Sequence, residues 1–282
     1  MRVGNNLIME KKYYTVERNV QIVIALLKAN GIKRVIASPG TTNMTFVGSI
    51  QQDPFFEIYS SVDERSAAYL ACGMAAETGE PVVLSCTGAT ASRNYMPGLT
   101  EAYYRKLSVL AITSHRGDYQ IGHLIDQQID RRSLPNDIAI EHVVVPMVKD
   151  KADEKLCTIE ANKAILALKL NGGGPVHINM FTEYNPDFSV KTLPPVRVIR
   201  RHTLEDVLPS LPENARIAVF VGAHKHFSES ETKAIDDFCA SNNAVVFCDQ
   251  TSNFYGKYAV HMSLVFSQES WMSEFRNVDL VI

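Results

Sequence analysis

The chain has 282 residues, 46% of them hydrophobic and 21% charged, with a formal net charge of −3. This is an ordinary globular mix, long enough for one large or two ordinary domains. No Lys/Arg block advertises a nucleic-acid surface, and no apolar run, VQIVIALL included, approaches a membrane span. The five cysteines are scattered with no C-x-x-C, which argues against disulfides and a zinc site and for a reducing, cytoplasmic setting.

Residues 1–11 open with MRVGNNLI ahead of a second Met and read as a loose leader. From Val16 to Asn30, the apolar residues Val16, Val20, Val23 and Leu27 define one helical face, and Gly31 suits the C-terminal cap. RVIAS (34–38) reads as a buried strand, PGTTN (39–43) as a turn, and 41–51 as a helix. FEIYSSV (56–62) is a strand, Glu64 to Thr78 a helix, PVVLSC (81–86) a strand, 92–105 a helix and LSVLAIT (107–113) a strand. After a polar loop, 114–133, come the strand EHVVVPMV (141–148), a helix over 153–170 and a Gly-led strand, 172–180. Strands alternating with helices at this spacing predict an α/β fold, a doubly wound parallel sheet with helices on both faces.

Residues 183–200 hold three prolines and no period, as a linker would. A second α/β pattern follows over 201–282: a helix at 203–210, strand RIAVFVG (216–222), a helix at 229–241, strand AVVFCD (244–249) and a terminal strand in NVDLVI. Parallel strands need cover on both faces, so this second domain is expected to be incomplete.

In an open parallel sheet, ligands lie beyond the carboxyl ends of the strands. That rule gathers SPGTTN, DER, CTGATASRN and SHRGDYQIGHLIDQQ on one edge. Two of these loops are rich in Gly, Ser and Thr, which lets backbone N–H groups approach a ligand closely. Neither a P-loop nor a G-x-G-x-x-G is present, so each loop read alone is equally a tight turn. Glu64 stands out, because it joins an apolar strand to a helix made almost wholly of small residues. Alone, it reads either as a functional acid or as a helix-start acid stabilised by the dipole, an effect of about 0.3–1 kcal/mol.

The order SPG, then Glu64 in DER, then TGATASRN, then Gln127-x-Ile129 resembles the pyrimidine-binding domain of thiamine-diphosphate enzymes over residues 12–182. GGGPVHINMFTEYNP is similar to the strand that closes that domain. Within the superfamily, DERSAAYLACGMA and GHLIDQQI are most similar to the menaquinone-pathway 2-succinyl-5-enolpyruvyl-6-hydroxy-3-cyclohexene-1-carboxylate synthases. The resemblance implies that Glu64 hydrogen-bonds N1′ of the aminopyrimidine, favouring the imino tautomer whose 4′-nitrogen takes the proton from C2. Such an acid needs a raised pKa from partial burial, which the small-residue helix from Ser66 to Ala76 is expected to supply. It further implies cofactor contacts by Pro39, Gly40, Thr41, Gly88 and Asn94, a catalytic and substrate role for Gln127, and substrate contacts by Thr42 and Arg116. Thr42 stands where those synthases carry an arginine.

The implied reaction is decarboxylation of a 2-oxo acid, with or without transfer of the resulting carbanion to an acceptor. The alternatives are a phosphonopyruvate- or acetolactate-type enzyme, or a non-catalytic assembly subunit of the same fold. No Gly-Asp-Gly for diphosphate and Mg2+ occurs, so those are expected from a C-terminal domain absent here. No metal ligand is assigned within the chain, which alone is expected to be inactive. The resemblance also implies a homo-oligomer, a dimer or tetramer, or a separate diphosphate-binding partner.

Overall fold

The computed structural model describes residues 13–203, 205–262 and 277–282. The expected leader, 1–11, lies outside the described residues. The chain divides into two compact units, Met1–Arg201 and His202–Ile282.

The first unit is built on a six-stranded, wholly parallel sheet. Its strands are β1 (Arg34–Ala37), β2 (Glu57–Ser60), β3 (Val82–Thr87), β4 (Val109–His115), β5 (Glu141–Val145) and β6 (Val176–Phe181), in the order β2-β1-β3-β4-β6-β5. Helices α1 (Arg18–Ala29), α2 (Met44–Ile50) and α6 (Lys151–Ala167) cover one face. There Val23, Leu27, Phe46 and Ile165 pack on Val35, Val83, Ile112 and Ile178. On the opposite face, α3 (Glu64–Thr78) and α5 (Met96–Tyr104) pack on Ile36, Leu84, Cys86 and Ala111. The part of that face over β6 and β5 is covered by the long loop 116–140, which contributes Leu134 and Ile138. Loop cover over a sheet interior leaves room for polar side chains, and the site below uses it.

The small residues of α3 have a packing cause. Ala67, Ala68, Ala71 and Ala75 are buried, and α5 comes so close that a Cβ on Gly98 would sit 2.4 Å from the Ala68 Cβ. Side chains of ordinary size would hold the two helices apart.

Several elements differ from the expectation. The helix foreseen over 92–105 is two helices, α4 (Thr90–Asn94) and α5, which meet at Tyr95; Pro97 lies in the first turn of α5. Proline is tolerated there because its missing N–H would have no helical partner. Strand β5 stops before Pro146, which lacks the N–H to continue a ladder. The helix foreseen over 203–210 is not formed in its described residues. The Asp206 carboxylate accepts from the Thr203 N–H (2.7 Å) and hydroxyl (2.9 Å), locking a turn, and Pro209 disfavours helix at the residue before it.

In the second unit, β7 (Ile217–Phe220), β8 (Ala244–Cys248), β9 (Ala259–His261) and β10 (Leu280–Val281) form a parallel sheet ordered β10-β7-β8-β9. Strand β9 was not anticipated. Helix α7 (Glu229–Ser241) starts with a capping box between Ser228 and Glu231, and Cys239 packs on Ile217, Val246 and Phe254. Among the described residues, no helix is long and apolar enough to cross a membrane.

Replacing Gly98 by Ala puts the new methyl 2.4 Å from the Ala68 Cβ and 2.9 Å from its carbonyl carbon. Overpacking of this kind is expected to cost about 1–3 kcal/mol, read as a lower urea midpoint with an unchanged slope.

Candidate functional site

Because every strand of the first sheet is parallel, the segments after β1, β2, β3, β4 and β6 share one edge. The backbone groups there need partners, and two side chains of the first loop supply them. Thr42, 1% exposed, donates its hydroxyl to Ser114 O (2.6 Å) at the end of β4 and accepts the Gly88 N–H (3.4 Å) after β3. Its own carbonyl accepts from the Thr182 hydroxyl (2.7 Å) beyond β6. Asn43, also buried, accepts the Gly40 N–H at 2.8 Å and donates to Ser38 O and Ser85 Oγ. One loop is thereby fastened to three strand ends. Thr42, expected to meet substrate, points into this interior instead: its hydroxyl is spent on closing the loop.

Both glycines of the expected set sit where loops touch. A Cβ on Gly40 would lie 2.2 Å from Thr87 Cγ2, and one on Gly88 would lie 2.5 Å from Ser114 O. Their role in the structure is to let the first, third and fourth loops approach one another. Pro39 and Thr41 are exposed on the same rim.

Glu64 is the first residue of α3 and is half-buried. The capping is done by its neighbour: Asp63 accepts the Ser66 N–H at 2.7 Å, which holds the Asp63 carboxyl below the usual range. The Glu64 carboxylate makes no capping bond. Its Oε2 accepts from Asn94 Nδ2 (3.3 Å), so the second and third loops meet at this pair. The helix-start reading of Glu64 therefore accounts for a dipole contribution and no more. The small residues of α3 face α5 and the sheet; they shape the helix packing, and Glu64 keeps an open side.

The fourth loop folds back on itself. Arg116, half-buried, pairs with Asp126 (3.1 Å) and lies over the Tyr184 ring at 5.0 Å. Gln127 is exposed with φ 56°, while the adjacent Gln128 turns inward and donates to Gly117 O at 3.0 Å. The structure thus brings Glu64 and Asn94 together and keeps Gly40 and Gly88 close by, and it places Gln127 and the Arg116–Asp126 pair on the outer loop.

Beneath that loop lies a polar cluster that the sequence reading did not single out. Arg131, 2% exposed, donates to Thr113 Oγ1 and to Asn179 Oδ1. Thr113 Oγ1 is 2.6 Å from His177 Nε2, and His177 Nδ1 is 3.0 Å from His142 Nδ1. His115, at the end of β4, accepts the Gly117 N–H on Nδ1. A signal was present: Thr113 and His115 on β4, and His177 and Asn179 on β6, are polar residues at alternate positions of largely apolar strands. Burial, with the Arg131 charge behind it, pushes His115 down to about 3. His177 and His142 are also lowered, chiefly by burial. These imidazoles are neutral at neutral pH and unsuited to act as acids there.

Residues 18–134 match the family described as "Thiamine pyrophosphate enzyme, N-terminal TPP binding domain". The chain is 35% identical over 190 residues to the 2-succinyl-5-enolpyruvyl-6-hydroxy-3-cyclohexene-1-carboxylate synthase of Bacteroides thetaiotaomicron, covering 67% of this chain and 34% of that protein. The Porphyromonas gingivalis synthase of the same name is 30% identical over 251 residues, 85% of this chain and 43% of its own. That of Flavobacterium johnsoniae is 27% identical over 271 residues, 92% and 47%. The chain spans between about a third and a half of the length of these relatives.

The lowered histidines set the sign of the acid response. As pH falls through about 6.5, the unfolded chain takes up protons that the native imidazoles refuse, His115 down to about 3, so stability falls with falling pH. Each such histidine contributes up to about 1.4 kcal/mol per pH unit. Urea unfolding between pH 7 and 4 is expected to show that decline, and His115→Asn to make it shallower by about one proton.

Proposed function

We propose, on the premise that residues 18–134 form the N-terminal TPP binding domain of a thiamine pyrophosphate enzyme, that this chain holds the aminopyrimidine of thiamine diphosphate at its sheet edge and activates it through Glu64. In this reading the enzyme it belongs to decarboxylates a 2-oxo acid, with or without transfer of the product to an acceptor; its similarity to proteins named as synthases of a cyclohexene carboxylate supports the transfer. The observation that carries the reading is the state of Glu64. It stands at the edge where the loops converge, relieved of capping by Asp63, with Asn94 as the one hydrogen-bond partner of its carboxylate among the described residues.

The residues present fit that cofactor. Thiamine diphosphate, when bound, supplies the electron sink for decarboxylation. Glu64 offers an oxygen to a ring nitrogen and shares a proton with it, while Asn94 Nδ2 steadies the other oxygen. Such sharing near neutral pH needs the carboxyl largely out of water, and a docking partner supplies that cover. Val62, 88% exposed, and Tyr69 and Leu70, also exposed, flank Glu64 and suit such a partner. In this reading the partner contributes the diphosphate and Mg2+ site, from a second copy in a dimer or tetramer or from a separate domain. Pro39, Gly40, Thr41, Gly88 and Asn94 form the wall towards the cofactor; Arg116 and Gln127 belong to the loop that meets the substrate. A cytoplasmic setting accords with five buried free thiols.

Thr42 favours a second reading of the substrate. Its hydroxyl is buried and engaged, so this loop offers no cation to a carboxylate at that point. A phosphonopyruvate- or acetolactate-type 2-oxo acid is therefore kept beside the synthase substrates. A silent assembly subunit would retain the fold without the chemistry.

In the enzyme that contains this chain, Glu64→Gln is expected to slow exchange of the cofactor's C2 proton by orders of magnitude, with circular dichroism unchanged. Wild-type exchange would exclude the reading and favour the silent subunit. By calorimetry, the 282-residue chain alone is expected to bind thiamine diphosphate weakly, with or without Mg2+; tight binding would contradict the partner's share of the site.

A further inference from the structure

The Arg131 guanidinium is 2% exposed and, among the described residues, has no carboxylate partner. Its bonds go to two neutral groups, Thr113 Oγ1 and Asn179 Oδ1, and its buried Nε–H has no hydrogen-bond partner among the described residues. A buried cation ordinarily sits against an acid, because removing it from water is otherwise very unfavourable. The nearby acids do not pair with it directly. Asp130, one residue before, is paired with Arg132 at 2.7 Å. Asp118 acts on Arg131 electrostatically but is partly exposed, lies 3.9 Å from His115 Nε2 and does not border the cavity that Arg131 lines.

That cavity lies under the loop 116–140. Arg131 and Arg93 both line it among apolar side chains that include Met96, Leu99 and Leu134; the Ser92 hydroxyl is spent on Gly88 O and Ala89 O, Thr113 Oγ1 on Arg131 and His177, and no acidic residue is among the described lining residues. One Arg93 Nη2 donor goes to Asp130 O (2.7 Å), which anchors the side chain to the loop that carries Arg131. The free space admits about one water-sized body. A water there would supply hydrogen bonds and leave the charge opposed only from a distance, by Asp118; a carboxylate or phosphate is too large. Burial already pulls Arg131 down to about 10, the direction expected of a cation short of an anion.

We propose that the cavity between Arg131 and Arg93 is a binding site for a single monatomic anion, chloride in ordinary buffers, which neutralises Arg131 and fastens the 116–140 loop to the sheet. The site is independent of the cofactor reading, since it lies in the floor under the fourth loop and needs no thiamine diphosphate to fill.

The test uses bromide as probe on the 282-residue chain. In crystals equilibrated with sodium bromide, an anomalous peak is expected beside Arg131 Nε within the cavity. At constant ionic strength, exchanging gluconate for bromide or chloride is expected to raise the melting temperature by several degrees, saturating as a single site. Arg131→Met is expected to abolish that rise. Should that variant fail to fold, Arg93→Met is expected to weaken the apparent halide affinity at least tenfold. No anomalous peak in the cavity, or equal melting temperatures in halide and gluconate, overturns the proposal. A peak with no halide-specific stabilisation means an adventitious ion only and overturns it equally.

Discussion

The geometry of the sheet edge depends on one junction, the bonds that Thr42 and Asn43 make beneath the first loop. Parallel strands end with carbonyl and amide groups that their own ladder cannot satisfy, and leaving such groups buried and unpaired costs about 1–3 kcal/mol each. Thr42 serves the ends of β3, β4 and β6 at once, and Asn43 ties the turn to its own strand and to β3. With these bonds in place, the loops have little freedom to separate. The Gly40 and Gly88 contacts then become close approaches that no larger residue permits.

On that floor the sheet displays two chemically different halves. Over β1 and β3, helices α3 and α5 pack through alanine and glycine and bring Glu64 to the rim beside Asn94. Over β6 and β5, a loop replaces the helix, and these strands and the adjoining β4 respond with His177, Asn179, His142 and Thr113 around a buried guanidinium. The first half presents a carboxylate with an open side. The second holds neutral imidazoles under a positive charge, an interior that suits positioning more than proton transfer. Val62, Tyr69 and Leu70 are exposed on this first half.

Much of this was legible in the residues. Helix α3 runs over Glu64–Thr78, the bounds expected from the sequence, and the alternation of strands and helices led directly to the parallel sheet. The convergence of the four loops followed from topology alone. Side-chain direction did not. Thr42 and Gln127 were read from their order in the chain, yet one turns inward to satisfy backbone and the other outward beyond a residue with positive φ, Leu124. Arg131 carries no signal of its own, because a lone arginine in a polar loop looks solvated until the strands beneath it are known. The break at Tyr95 and the missing helix near Asp206 show local hydrogen bonding and proline overriding a plausible helical period.

The adjacent acids at the start of α3 divide two duties that a single residue often combines. Asp63 secures the helix end and Glu64 does not, so the two answer to separate selective pressures. A lineage losing Glu64 would keep its architecture intact, because no cap of the helix depends on that side chain. If Glu64 has the role proposed for it, drift at one codon is enough to turn a catalyst into a scaffold of the same outline.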